Sequence, residues 1–206
     1  EIVDEIRQDQ KGLISVDRTV GGAYENYVTP EQKVPENPMT IPWESNLTLG
    51  TSFSYRFDDT YKSGREVLNL LVDIVAKGGN LAINVGARPN GMLPENAMEH
   101  LKEMGRWLKQ FGEAIYGTRV CAPYKKDGIA FTKKENIVYA IETFETDNSP
   151  VKEEVWIPYE GDVKRVVFME TNEELEIKRK EKGFVVQVPK YGEKKAPLGR
   201  VFCLEV

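Results

Sequence analysis

Between Leu13 and Phe53 the sequence gathers side chains that can move protons and hold a sugar. A strand-like run, Leu13-Ile14-Ser15-Val16, ends in Asp17-Arg18. It is followed by Tyr24-Glu25-Asn26-Tyr27, Thr29-Pro30-Glu31-Gln32, Pro42-Trp43-Glu44-Ser45 and Thr51-Ser52-Phe53. Carboxylates can transfer protons, an arginine can orient them, and flat rings can cover the apolar face of a pyranose. Sugar-cleaving sites on parallel α/β barrels are made of these parts, just beyond the barrel strands. Glu25 is the candidate general acid, because it lies in a loop beyond Asp17 between two tyrosines whose rings could exclude water. The same residue also reads as a solvated loop glutamate. Arg18 reads either as a carboxylate-orienting cation or as a structural partner of Asp17. Trp43 and Phe53 read equally as sugar platforms or as core.

The elements that must position these residues alternate through the first part of the chain. Gly12 to Val16, Trp43 to Leu49 and Asn80 to Val85 read as strands, the last short, apolar and flanked by glycine as a buried parallel strand would be. Ser63 with Glu66 makes a capping box for a helix whose stripe is Val67, Leu70, Leu71, Ile74 and Val75, and Gly78-Gly79 ends it. Pro94 suits the first turn of a second helix carrying Ala97, Met98, Leu101, Met104, Leu108 and Phe111. The opening run Glu1 to Arg7 reads as the tail of an amphipathic helix, and Glu1 as an internal position of a larger fold. After Gly117 the period changes to two. Ile129 to Thr132, Ile137 to Phe144, Glu154 to Ile157, Val163 to Met169, Leu175 to Lys178, Phe184 to Val188 and Arg200 to Leu204 read as strands. Short strands at this spacing suggest a β-sandwich. The expected architecture is therefore α/β plus all-β. Residues 1–119 form the α/β part and residues 120–206 the β part, with the boundary near Arg119 to Tyr124, where Pro123 intervenes.

Composition narrows the function further. With 206 residues, 40% of them hydrophobic and 30% charged, the chain can bury a substantial core. A net charge of -5 argues against a nucleic-acid footprint. No apolar run approaches the ~20 residues of a membrane helix. His100 is the single histidine, which argues against a histidine-based metal site or a Ser-His-Asp triad. Cys121 and Cys203 are far apart, without metal-ligand spacing, and read as two free or partly buried thiols. Neither a metal nor an organic cofactor is expected. Asn46-Leu47-Thr48 is a formal glycosylation sequon that reads as a coincidence beside the candidate site.

Several of these runs resemble one family. Val16-Asp17-Arg18-Thr19-Val20-Gly21-Gly22, the Tyr24 to Tyr27 and Thr29 to Gln32 strings, Pro42-Trp43-Glu44-Ser45, Leu71 to Gly86 and Gly112 to Thr118 are similar to α-L-fucosidases of glycoside hydrolase family 29. The Glu-Asn-Tyr and Thr-Pro-Glu-Gln string is most similar to the subfamily preferring α-1,3 and α-1,4 linkages. The resemblance implies the C-terminal half of a (β/α)8-like barrel, over residues 1–119, followed by a β-sandwich. It implies a retaining glycosidase acting on a fucosylated oligosaccharide or glycoconjugate. Carried over residue by residue, Glu25 takes the acid/base position, with Glu44 as second choice. Arg18, Trp43, Glu44 and Phe53 become substrate-binding residues. The family's aspartate nucleophile belongs to a strand upstream of Lys11, so a partner supplying the N-terminal half of the same enzyme is expected. A non-catalytic carbohydrate-binding or interaction fragment is the alternative.

Overall fold

The computed structural model describes residues 2–18, 21–190 and 195–206. Thr19 and Val20 of the Asp-Arg-Thr-Val-Gly-Gly run, and Glu1, expected to open an amphipathic helix tail, lie outside the described residues. Helix α1 (Ile2–Asp9) leads to a 3-10 turn at Gly22–Tyr24, strand β1 (Trp43–Thr48), helix α2 (Gly64–Ala76), strand β2 (Gly79–Asn84) and helix α3 (Glu95–Phe111). β1 and β2 pair in parallel, from Trp43 opposite Gly79 to Thr48 opposite Asn84.

α2 starts where the capping box places it. Ser63 Oγ accepts from the Glu66 amide at 3.2 Å, and Glu66 Oε2 accepts from the Ser63 amide at 2.8 Å. The helix is buried on two sides, because the parallel pair lies against one and an antiparallel sheet against the other. Ile74 and half-buried Leu70 meet the first, while Val67, Leu68, Val72 and Ala76 meet the second. A single apolar stripe therefore understates its burial. α3 spans the expected stretch, but Pro94 is its N-cap, with the first helical residue at Glu95.

Among the described residues nine antiparallel strands follow: β3 (Arg119–Lys126), β4 (Ile129–Lys134), β5 (Ile137–Thr143), β6 (Glu154–Ile157), β7 (Arg165–Phe168), β8 (Glu173–Leu175), β9 (Ile177–Lys180), β10 (Gly183–Gln187) and β11 (Gly199–Glu205). A six-stranded sheet runs β3-β4-β5-β11-β7-β8, and a three-stranded sheet runs β6-β10-β9. Between them lie Phe131, Ala140, Phe168 and Phe202 from the larger sheet, with Ile157, Phe184 and Val186 from the smaller. The alternate residues Tyr139, Ile141 and Val201 face α2 and α3. Both faces of the central strands are thus dry, so they carry near-continuous apolar runs in place of the expected period of two.

Two expectations change here. The expected strand from Gly12 to Val16 is reduced to one bridge, Val16 to Tyr27. Ile14 is 69% exposed, so this segment is no buried strand. The stretch from Leu175 to Lys178 belongs to two strands, β8 and β9, because the chain passes from the six-stranded to the three-stranded sheet at Glu176. Pro123, near the expected boundary, lies within strand β3, the first of the antiparallel strands, which has a bulge between Val120 and Lys125. β3 is the edge of its sheet, and an edge tolerates a residue without an amide proton.

Polar ties join the helical and antiparallel parts. Arg65 donates to the carbonyls of Pro197 (2.6 Å) and Ala196 (2.7 Å) and to Asp147 (2.9 Å). Trp107 Nε1 donates to Gly199 O at 3.0 Å, Thr132 Oγ1 to Ala114 O at 2.7 Å, and the Tyr139 hydroxyl to Glu113 at 2.8 Å. Cys121 and Cys203 are both free. They pack into different clusters, Cys121 between the two antiparallel sheets and Cys203 on the helical side.

Candidate active site

Four segments run side by side in parallel. The amide of Asn26 donates to Ser15 O (2.7 Å) and that of Asp17 to Tyr27 O (3.2 Å). Val28 N donates to Pro42 O (3.0 Å), Glu44 N to Val28 O (3.1 Å) and Gln32 N to Asn46 O (3.0 Å). Bridges pair Val16 with Tyr27, Val28 with Trp43 and Glu31 with Asn46, and β2 completes the series. Residues paired across parallel strands share a face, and faces alternate along each strand. Val28, Trp43, Leu47, Leu81 and Ile83 occupy one face and form an apolar cluster with Ile74. The other face therefore holds Val16 and Arg18, then Tyr27, Thr29 and Glu31, then Glu44, Asn46 and Thr48, then Asn80, Ala82 and Asn84. A face that is polar at eight of these eleven positions, and charged toward the C-terminal ends of the first two segments, is where parallel α/β folds place their sites.

Arg18 is the centre of this face. Its Nη1 donates to Glu31 Oε2 at 2.6 Å, its Nε to Thr29 Oγ1 at 2.7 Å and its Nη2 to Thr29 O at 3.2 Å. Thr29 in turn donates from its amide (3.1 Å) and hydroxyl (2.9 Å) to Asp17 Oδ1. Asp17 thus fixes Thr29, Thr29 fixes Arg18, and Arg18 fixes Glu31. The Arg18 and Glu31 side chains remain 46% and 43% exposed, so the pair is held in place yet open to a ligand.

The expected residues separate. Glu25 is half-buried, and its carboxylate accepts from the Gly22 amide at 3.1 Å, closing its own turn. The guanidinium of Arg18 turns to Thr29 and Glu31 instead. Glu44 shares the polar face, two residues nearer the start of β1 than Asn46, the partner of Glu31. Trp43 is corrected from platform to core: it is 1% exposed, its Nε1 donates to Lys77 O at 3.4 Å, and its ring lies against Gly79. A ring packed on both sides has no face to offer a sugar. Phe53 is 40% exposed. It sits on a loop leaving the C-terminal end of β1, closed by the Lys62 amide to Leu49 O at 2.9 Å. Inside this loop Asp59 Oδ1 accepts from the Thr51 hydroxyl (2.6 Å) and amide (2.9 Å), which hold its carboxyl below the usual carboxylate range. Asn46 of the sequon lies within β1 and Thr48 is 5% exposed, so the sequon is locked into a strand. Among the described residues no group of histidine, cysteine or carboxylate side chains is arranged to hold a metal, and no helix is long and apolar enough to cross a membrane.

Glu31 is the functional candidate that sequence reasoning quoted without a role. Its signal was its parity with Thr29, which becomes informative only once the register with Arg18 is known.

A family model described as Alpha-L-fucosidase matches residues 1–113. The chain belongs to the alpha-L-fucosidase family. It is 33% identical over 106 residues to the alpha-L-fucosidase of Branchiostoma floridae, covering 48% of this chain and 24% of that protein. Among solved structures it is similar to alpha-L-fucosidase isoenzyme 1 from Paenibacillus thiaminolyticus, with a TM-score of 0.84 at 24% identity, over 98% of this chain and 52% of the other. The alpha-fucosidase of Thermotoga maritima in complex with fucose gives a TM-score of 0.79 at 29% identity, over 97% and 46%. The chain thus spans about a quarter of that curated relative and about half of these solved chains. It shares their mixed helix-and-sheet fold.

Proposed function

We propose that this chain is part of a retaining α-L-fucosidase that removes terminal α-1,3/1,4-linked L-fucose from glycans. In this reading residues 1–119 are the C-terminal half of a (β/α)8-like barrel and residues 120–206 a β-sandwich. The observation that carries it is the Arg18–Glu31 pair on the polar face of four parallel segments, in a chain of this family. The aspartate nucleophile comes from the partner half that the resemblance implies. Of the three glutamates considered, the geometry favours Glu31 as acid/base over the Glu25 expected from sequence, because Arg18 orients Glu31 alone. Protonated Glu31 gives its proton to the glycosidic oxygen as the aspartate attacks the anomeric carbon and the C–O bond breaks. Glu31 carboxylate then takes a proton from water, whose oxygen attacks the same carbon and releases the aspartate.

The test uses the active enzyme that contains this chain. Glu31→Gln lowers kcat on an oligosaccharide by at least about 10²-fold. The loss is far smaller on α-L-fucosyl fluoride, whose leaving group needs little protonation, and azide rescues Glu31→Gly. Glu25→Gln and Glu44→Gln show neither this dependence on the leaving group nor rescue of their glycine variants by azide. If that signature falls on Glu25 or Glu44 instead, Glu31 is only a structural partner of Arg18.

A further inference from the structure

The loop that carries Phe53 also presents a ring that no step of this chemistry uses. Phe57 is 95% exposed, whereas Phe53 on the same loop is 40% exposed. Aromatic residues stand at alternate positions, Phe53, Tyr55 and Phe57, and the loop beneath them is fastened at three points. Asp59 binds Thr51, and Lys62 binds Leu49 through its amide and Thr48 O through Nζ at 2.6 Å. Gly86, just beyond β2, lies so close to Tyr55 that a Cβ there would stand 2.3 Å from the Tyr55 nitrogen. The loop thus bridges the C-terminal ends of β1 and β2, on the side where the Arg18–Glu31 pair is displayed. Polar side chains bracket the exposed ring. Arg56 and Asp58 lie 3.7 Å apart, and both are more than half exposed.

We propose that Phe57 is a platform for the leaving-group sugar, the pyranose on the far side of the scissile bond from fucose. The proposal rests on the fucosidase reading. A phenyl ring left in water forgoes most of its burial energy, about 1.5–3 kcal/mol, and here it is held out by a fixed backbone. It stands four residues beyond Phe53 on the same loop and is the more exposed of the two rings, open to a sugar that extends outward from the fucose. One face of a phenyl ring matches the apolar C–H face of a pyranose. Arg56 and Asp58 supply a donor and an acceptor for that sugar's equatorial hydroxyls.

The experiment compares two substrates in the active enzyme containing this chain: a fucosyl oligosaccharide, and α-L-fucosyl fluoride, which has no leaving-group sugar. Phe57→Ala lowers kcat/KM on the oligosaccharide about tenfold, the effect of burying one face of the ring. It leaves the fluoride unchanged, and Phe57→Trp restores the oligosaccharide. Equal losses on both substrates would assign Phe57 to loop architecture and overturn the platform. Unchanged rates on both would overturn it as well, meaning that the ring faces solvent or another polypeptide. An enzyme whose wild type turns over neither substrate overturns the fucosidase reading itself, and the platform with it.

Discussion

Arg65→Met asks how strongly the helical and antiparallel parts of the chain are joined by one buried cation. The Arg65 side chain is 8% exposed and bonds the carbonyls of Pro197 and Ala196 at 2.6 and 2.7 Å. Methionine keeps most of the stem's packing but leaves both carbonyls without their donor. A hydrogen bond from a charged donor is worth roughly 1.5–3 kcal/mol, and water reaching the Pro197 side recovers part of that. Asp147 is 54% exposed, so its share of the ion pair is small. The expected loss is about 3–4 kcal/mol, which lowers Tm by about 10 °C in a chain of this size. Urea unfolding followed by tryptophan fluorescence reads it directly. Trp43 reports on the parallel pair, Trp107 on the junction and Trp156 on the three-stranded sheet. Asp147→Asn is the control, with a minor effect. Arg65 and Lys195 hold the Asp147 carboxyl below its ordinary 3.8, so its contribution is present above that value and is lost as pH falls through the depressed one. A loss under about 1 kcal/mol for Arg65→Met, or an equal loss for Asp147→Asn, would refute the assignment of the joint to the two carbonyls.

Other perturbations have equally definite outcomes. Gly79→Ala brings a Cβ to 2.4 Å from the buried Trp43 ring, so thermal melts should show a loss of about 1–3 kcal/mol. Gly105→Ala, in open space on α3, should instead stabilise by about 0.5–1 kcal/mol. Burial pushes the Glu142 carboxyl above its ordinary 4.5 despite the 2.7 Å bond from Arg200. A raised acid favours the fold while protonated, so its contribution is complete below 4.5 and fades as pH rises through the elevated value. Glu142→Gln should flatten that slope in urea midpoints taken from mildly acid to neutral pH. Burial also raises the Cys121 and Cys203 thiols, so a disulfide-exchange reagent should label both slowly in the native protein and at once in denaturant.

Local rules were enough for the features whose partners lie within a few residues. The Ser63–Glu66 capping box, the helix from Glu95 to Phe111 and the strand from Ile137 to Thr143 are all short-range, and each was legible in the amino-acid order. Resemblance in the stretch from Val16 to Gly86 likewise pointed to the family before any geometry was known. Three matters needed the assembled fold. The carboxylate facing Arg18 is decided by register among separate segments, and a one-residue change of row would turn Glu31 to the apolar side. Whether Trp43 is platform or core depends on Gly79, thirty-six positions away, leaving room for its ring. The exposure of Phe57 depends on Asp59 and Gly86 holding its loop. The sequence by itself determined the helices, most of the strands and the family, because those signals are local or are carried in short contiguous runs. Only the tertiary structure decided which side chains meet, because strand pairing and loop fastening bring together residues whose spacing along the chain encodes no distance.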